Sequence, residues 1–77
     1  MDEESLLRMV EAIAEVAPGT VTLETELDAL NWDSLANLGF ISEVDSALDV
    51  TVSAEQLSKA ATVADLGAVV RDATNGK

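Results

Sequence analysis

A single capped helix in the middle of the chain constrains the fold more than any other stretch. Asp33 is a residue type that caps helices well, because its carboxylate can accept hydrogen bonds from first-turn N–H groups. The apolar residues after it recur at helical spacing as Phe40, Ile41, Val44 and Leu48. The pattern predicts one amphipathic helix over residues 34–48 with these four side chains in the core.

The first turn of this helix is predicted to begin at Ser34. Backbone N–H groups in a first turn have no partner inside the helix, and the positive end of the helix dipole lies beside them, so they favour a phosphate. A hydroxyl in this position is a good site for a phosphodiester. The plain alternative is that Ser34 is only a helix residue that follows an aspartate.

Another helix is predicted over residues 3–17, near the start of the chain. Acidic residues in its first turn suit the helix dipole. Pro18 and Gly19 end it, because the residue before proline disfavours helix and glycine accepts a positive φ. The predicted inner side consists of Leu6, Val10, Ile13, Ala14 and Ala17.

Two shorter helices are predicted in the last third of the chain. Ser53, with a glutamine three residues later, forms a capping box for a helix over residues 54–60. Thr62 with Asp65 caps a last helix over residues 62–73, and residues 75–77 are expected to fray. The inner residues of both are Leu57, Val63, Leu66, Val69 and Val70. We therefore expect one all-α domain over residues 1–77, a small four-helix bundle with a short third helix.

The connection over residues 20–31 is long for a compact domain and needs anchors. The apolar residues that can hold it down are Val21, Leu23, Leu27 and Leu30. A brief helical turn is predicted within residues 25–30, and Asn31 suits a left-handed conformation after it. Residues 49–52 are predicted to be an extended link.

Composition excludes several classes of function. Four Lys and Arg residues against 15 Asp and Glu give a net charge of −11, which argues against nucleic acid and anionic membranes and favours partner proteins with basic patches. Without Cys or His, the chain has no disulfide and no ordinary nucleophile–base pair, so we expect no enzyme. The acidic N-terminus and the lack of a membrane-length apolar run predict a cytoplasmic protein without membrane insertion, and we expect a monomer.

A calcium-binding loop beginning at Asp45 is the main metal alternative, and it fails. Ala47 replaces a ligand, Val50 replaces the required glycine, and Gln56 stands where a bidentate glutamate is needed. We expect no metal site, and we interpret the acidic residues there as solvated surface charges.

The tripeptide Asp33-Ser34-Leu35 resembles the attachment motif of the acyl and peptidyl carrier proteins. Apolar residues downstream fall where that family places them: Leu38, Ile41, Val44, Leu48, Val52, Leu57, Val63 and Leu66. Residues 61–66 resemble the start of the family's last helix, and Asn31 stands where the family usually has glycine. The resemblance covers nearly the whole chain.

The resemblance implies that Ser34 carries 4′-phosphopantetheine. It implies that a phosphopantetheinyl transferase uses Mg²⁺ to move this arm from coenzyme A, that Asp33 helps the transferase recognise the site, and that cargo is held as a thioester on the arm. Further implied partners are an acyl- or aminoacyl-loading ligase and acyl-processing synthases or transferases. With Trp32 directly before the aspartate, the motif resembles that of carriers from polyketide and nonribosomal-peptide pathways more than that of carriers from housekeeping fatty-acid synthesis.

A partner-binding face is predicted on the second helix beside Ser34. At about 100° per residue, Leu35, Leu38, Ser42 and Asp45 fall on one arc opposite the core arc. The two leucines flanked by acids have the make-up of a docking patch, unless the loop covers them. For Trp32 two roles stay open, packing as a staple on the second helix or contact with partner enzymes.

Asn37 is predicted to point toward the interior, where a buried amide needs a hydrogen-bond partner. One interpretation is a bond to the loop backbone near residues 27–30. The other is that Asn37 lines the mouth of a cavity for attached cargo and favours a short or polar group. The functional hypotheses are a free-standing acyl carrier, a peptidyl or aminoacyl carrier loaded by an adenylating ligase, and a small acidic adaptor whose serine is never modified.

Overall fold

The computed structural model describes residues 2–75, and four α-helices are present in this range. These are α1 (Glu3–Ala14), α2 (Ser34–Leu48), α3 (Ala54–Ser58) and α4 (Val63–Asn75), with a 3₁₀ turn (Leu27–Leu30) between α1 and α2. α2 packs against α1 and α3, and α4 packs against the same two helices. The predicted all-α bundle with a long first loop and a short third helix is confirmed. No helix in the described part of the chain has the length and apolar character to cross a membrane.

The core is aliphatic apart from one phenylalanine at its centre. Its fully buried side chains come from all four helices: Val10, Phe40, Val44, Leu57, Val63 and Leu66. Burial of one such side chain stabilises the fold by roughly 1.5–3 kcal/mol. On α2 the prediction holds for Phe40 and Val44, whereas Ile41 and Leu48 are half-buried and pack on the edge of the core.

The first helix is shorter than predicted, ending at Ala14 instead of residue 17. Glu15 adopts a left-handed conformation with φ 59°, and the Val16 N–H donates to the Glu11 carbonyl at 3.1 Å, which closes the helix. Ala17, predicted to face inward, is exposed. The rules for proline and glycine placed the stop too late, because a tertiary contact of the first loop turns the chain earlier.

That contact is made by Glu11, a side chain whose role the sequence did not reveal. Glu11 is only 5% exposed. Its Oε2 accepts hydrogen bonds from the Gly19 N–H at 2.8 Å and from the Val21 N–H at 3.3 Å. The carboxylate thus links α1 to the start of the loop. Residues 15–18 must therefore complete their turn between Glu11 and Gly19.

Backbone hydrogen bonds hold the second half of the loop against the start of α4. The Leu27 N–H donates to the Ala61 carbonyl at 2.9 Å, and the Val63 N–H donates to the Thr25 carbonyl at 3.0 Å. The predicted loop anchors are all buried or half-buried: Val21, Leu23, Leu27 and Leu30. The long connection is therefore held to α1 near its beginning and to the start of α4 in its second half.

The caps of the last two helices follow the predicted residues. The Ser53 hydroxyl accepts from the Gln56 N–H at 3.3 Å. Asp65 Oδ2 accepts from the N–H groups of Ala61 at 2.9 Å and Thr62 at 3.1 Å, and these bonds lower the pKa of the Asp65 carboxyl below its ordinary value. α3 ends two residues before, and α4 two residues after, the predicted ends, so residue 75 is helical; the expected fraying of residues 76–77 lies outside the described residues.

Candidate functional site

The turn that leads into α2 is built by local backbone geometry. The 3₁₀ turn ends at Leu30, and the next residue, Asn31, adopts the predicted left-handed conformation with φ 56°. The Trp32 N–H then donates to the Leu27 carbonyl at 3.2 Å. Asp33 is extended, with φ −113° and ψ −171°, and α2 begins at the next residue. The anchored loop thereby sets where α2 starts.

Ser34 occupies the first position of α2 and is exposed. Asp33 Oδ1 accepts from the Ala36 N–H at 2.9 Å, which confirms the predicted cap. Within the described residues, neither the Ser34 hydroxyl nor the N–H groups of Ser34 and Leu35 have a hydrogen-bond partner. An accessible hydroxyl in this position can be esterified with a phosphate group. The free first-turn N–H donors beside it favour the resulting phosphodiester.

Trp32 packs inward and does not stand free on the surface. Its indole ring is half-buried and meets the Phe40 ring edge-on, with ring centres 6.2 Å apart and planes at 71°. Its Nε1–H donates to Asn37 Oδ1. The packing role predicted for Trp32 is present, and part of the residue remains accessible.

The hydrogen-bond partner of Asn37 is not the predicted loop backbone, and the cavity-mouth interpretation named no partner. Asn37 is half-buried, and its side-chain oxygen accepts from the Trp32 indole, so the expected bond to the loop backbone near residues 27–30 is wrong. A tryptophan N–H usually finds an acceptor when it is partly buried, and the nearby amide was the available group. The i, i+5 spacing of a tryptophan and an asparagine across a helix cap was the signal.

Two exposed leucines follow Ser34 on the outer side of α2. Leu35 is 73% and Leu38 is 61% exposed, the two large apolar side chains that stand out in this way among the described residues. Ser42 and Asp45 continue the same arc and are exposed. The expectation that the loop might cover the leucines is wrong, and the helical-wheel prediction of an exposed arc is confirmed.

A groove of about 480 Å³ lies beside the start of α2, between the end of α1 and the first turns of α2. A second groove, of about 340 Å³, lies between the start of α1 and α4. Neither groove is lined by Asn37, Val44 or Leu66, and Val44 and Leu66 are fully buried.

Comparison with known families gives one finding. The family model described as phosphopantetheine attachment site matches residues 4–70, which is most of the chain. Comparison with curated proteins and with solved structures finds no significant match. The matched range includes α1, α2, α3 and most of α4, together with the turn at Ser34.

Proposed function

We propose that Ser34 is the residue that bears the prosthetic group. The chain belongs to the phosphopantetheine attachment site family, whose model matches residues 4–70. Members of this family are non-catalytic carriers with a covalently attached 4′-phosphopantetheine. The observation that carries the assignment to Ser34 is its exposed hydroxyl, free of intrachain hydrogen bonds, at the capped start of α2. When bound, the arm supplies a terminal thiol that holds a cargo as a thioester.

Attachment needs an external enzyme, because the chain has no base for the Ser34 hydroxyl. The sequence contains no histidine, and the carboxylate that precedes Ser34 in the sequence, Asp33, uses its Oδ1 as the cap of α2. A phosphopantetheinyl transferase would join the Ser34 oxygen to the phosphorus that bears pantetheine in coenzyme A. The bond from that phosphorus to the bridging oxygen breaks, adenosine 3′,5′-bisphosphate leaves, and the hydroxyl proton passes to a base of the transferase.

The partner-binding face is assigned to the outer side of α2 and the turn before it. Leu35 and Leu38 offer exposed apolar area next to the attachment point, and Asp45 offers charge at the far end. Ser42 lies between them, and Trp32 adds its accessible edge. Small apolar patches with polar surroundings are typical of protein interfaces, and a net charge of −11 steers partners that have basic patches. The partners of this type are the transferase, a loading ligase and acyl-processing synthases.

The packing of the interior favours a short or polar cargo. Val44 and Leu66 are fully buried, and Asn37 is held by the Trp32 indole at the side of α2 that faces inward. A long plain acyl chain would have to open this packed region and separate that hydrogen bond. Acyl and aminoacyl loading both agree with this, and we place the carrier in a polyketide or nonribosomal-peptide type of pathway because of Trp32.

Mass spectrometry of the purified protein tests the proposal. Incubation with coenzyme A, Mg²⁺ and a broad-specificity phosphopantetheinyl transferase should add one phosphopantetheine to the native chain and none to Ser34→Ala. Circular dichroism should show that Ser34→Ala keeps its helices, since the removed hydroxyl makes no bond within the described residues. Ser5→Ala is the matched control, because it removes an exposed serine hydroxyl from the first turn of α1, outside the proposed partner-binding face. A mass increase that persists in Ser34→Ala would place the site elsewhere, and no increase in the native chain would support the unmodified adaptor.

A further inference from the structure

The groove between α1 and α2 lies beside the turn that contains the proposed attachment residue. Asp33 and Leu35, the two neighbours of Ser34, both line it. Its opposite wall is the last turn of α1, and its apolar surface is formed by Ile13, Ala14, Leu30, Trp32, Leu35 and Ala36. The volume of about 480 Å³ falls within the range of small-molecule sites.

Gly39 lines this groove, and no close contact in the structure requires a glycine there. A Cβ built there would meet only the Ile13 Cγ2, at 3.8 Å, which is ordinary van der Waals contact. A glycine inside a helix costs roughly 0.5–1 kcal/mol relative to alanine. By contrast, a Cβ at Gly67 would lie 2.8 Å from Leu6 Cδ2, so close helix packing favours glycine there. What Gly39 does provide is a stretch of groove wall without a side chain.

We propose that this groove is an intramolecular docking site for the pantetheine portion of the arm on Ser34. This inference rests on the proposed function, since it requires the arm to be attached there. Beyond its phosphodiester the arm is an uncharged chain with amide N–H and hydroxyl donors and apolar methyl groups. The groove combines apolar walls with polar groups at its rim, namely Glu15, Asn31 and Asp33.

The charge of the rim and the covalent tether both favour this occupant. The carboxylates of Glu15 and Asp33 repel an anionic ligand but accept hydrogen bonds from amide and hydroxyl donors. A group tethered next to its site has an effective concentration of the order of millimolar, so an open and shallow groove can still be occupied. Docking against α1 would hold the thiol end of the arm close to the protein between encounters with partner enzymes.

Isotope-filtered NMR on the modified protein tests the docking. Chain labelled with ¹³C and ¹⁵N is loaded enzymatically from unlabelled coenzyme A, and complete modification is verified by mass. We expect nuclear Overhauser contacts between arm protons and Ile13 and Ala14 of α1, which are distant in sequence from Ser34, and also Gly39 of α2. Gly39→Leu, which fills the groove, should reduce these contacts and the shift changes at α1 several-fold, whereas Gly39→Ala should retain them.

Each outcome separates the docking from the attachment. Failure of the native chain to gain the arm refutes the proposed function. A fully loaded native chain whose arm contacts are confined to residues 33–36 overturns the docking alone. Signals of Ile13 and Gly39 that shift only when a loading enzyme is added assign the groove to a protein partner and also overturn it. If Gly39→Leu does not fold, the contacts in the native chain decide the question.

Discussion

We expect the carboxylate of Glu11 to contribute more to the stability of this fold than any other polar group. It accepts two backbone hydrogen bonds, at 2.8 and 3.3 Å, while only 5% of the residue is exposed. Glu11→Ala leaves the N–H groups of Gly19 and Val21 without their acceptor. Hydrogen bonds to a charged group contribute roughly 1.5–3 kcal/mol each. The second bond is long and the carboxylate itself is costly to bury, so we expect a net loss of about 2–4 kcal/mol.

This loss is a large part of the total free energy of unfolding. A chain of 77 residues has a free energy of unfolding of roughly 4–12 kcal/mol. With a urea m-value of about 1 kcal/mol/M for so small a domain, the midpoint of Glu11→Ala should fall by about 2 M or more. Glu11→Gln keeps an oxygen acceptor without the charge and should lose about half as much.

The matched control for this prediction is Glu43→Ala, which removes a carboxylate from an exposed position of α2. It should change the free energy of unfolding by less than about 0.5 kcal/mol. Hydrogen exchange at the amides of Gly19 and Val21 should accelerate in Glu11→Ala and stay unchanged in the control. Equal urea midpoints for Glu11→Ala and Glu43→Ala would refute the reasoning.

Three further predictions concern docking, pH and cargo. Leu38→Asp should weaken binding to the loading enzyme more than Asp45→Asn does, by surface plasmon resonance, because exposed apolar area lies nearest the attachment point; the reverse order would contradict this. Backbone N–H donors lower the pKa of Asp65 in the folded state from its ordinary 3.8, so its contribution is present above that pH and is lost as the pH falls through the lowered value. The melting temperature of Asp65→Asn should therefore be lower than that of the native chain at pH 7, with the gap closing in acid, and a gap independent of pH would refute the assignment. Loading with an eight-carbon acyl chain should leave the NMR shifts of Val44 and Leu66 nearly as they are in the unloaded form, and large shifts there would show that the interior accepts the chain.

The parts of the fold that follow local rules could be predicted from the sequence. α2 has the predicted bounds because Asp33 satisfies a first-turn N–H group and because the apolar period runs unbroken to Leu48. The exposure of Leu35 and Leu38 follows from the same period, since both lie opposite Phe40 on the helix. Caps and helical periodicity depend on residues within a few positions, which a sequence displays directly.

Features that depend on contacts between distant segments could not be predicted. Glu11 looks like any acidic residue of a surface helix until the loop folds back and places two N–H groups over it. The early end of α1 follows from that contact, so it was missed as well. The Trp32–Asn37 bond could have been anticipated from two partly buried polar groups near one helix cap, each in need of a partner. The groove at Gly39 could not, because it exists only between two packed helices.

The exposure of Leu35 and Leu38 bears on whether two copies of the chain would associate through them. The patch is confined to two side chains, and the arc beyond it continues with Ser42 and Asp45. Two copies that met face to face would bring together molecules that each have a net charge of −11. Repulsion acts over about 8–10 Å at physiological salt, further than the apolar contact it opposes. On the proposed function, a basic partner enzyme would meet the same face with attraction, so the charge that opposes pairing of copies would favour such enzymes. The proposed face would then distinguish partners by charge at a distance and by the two leucines on contact.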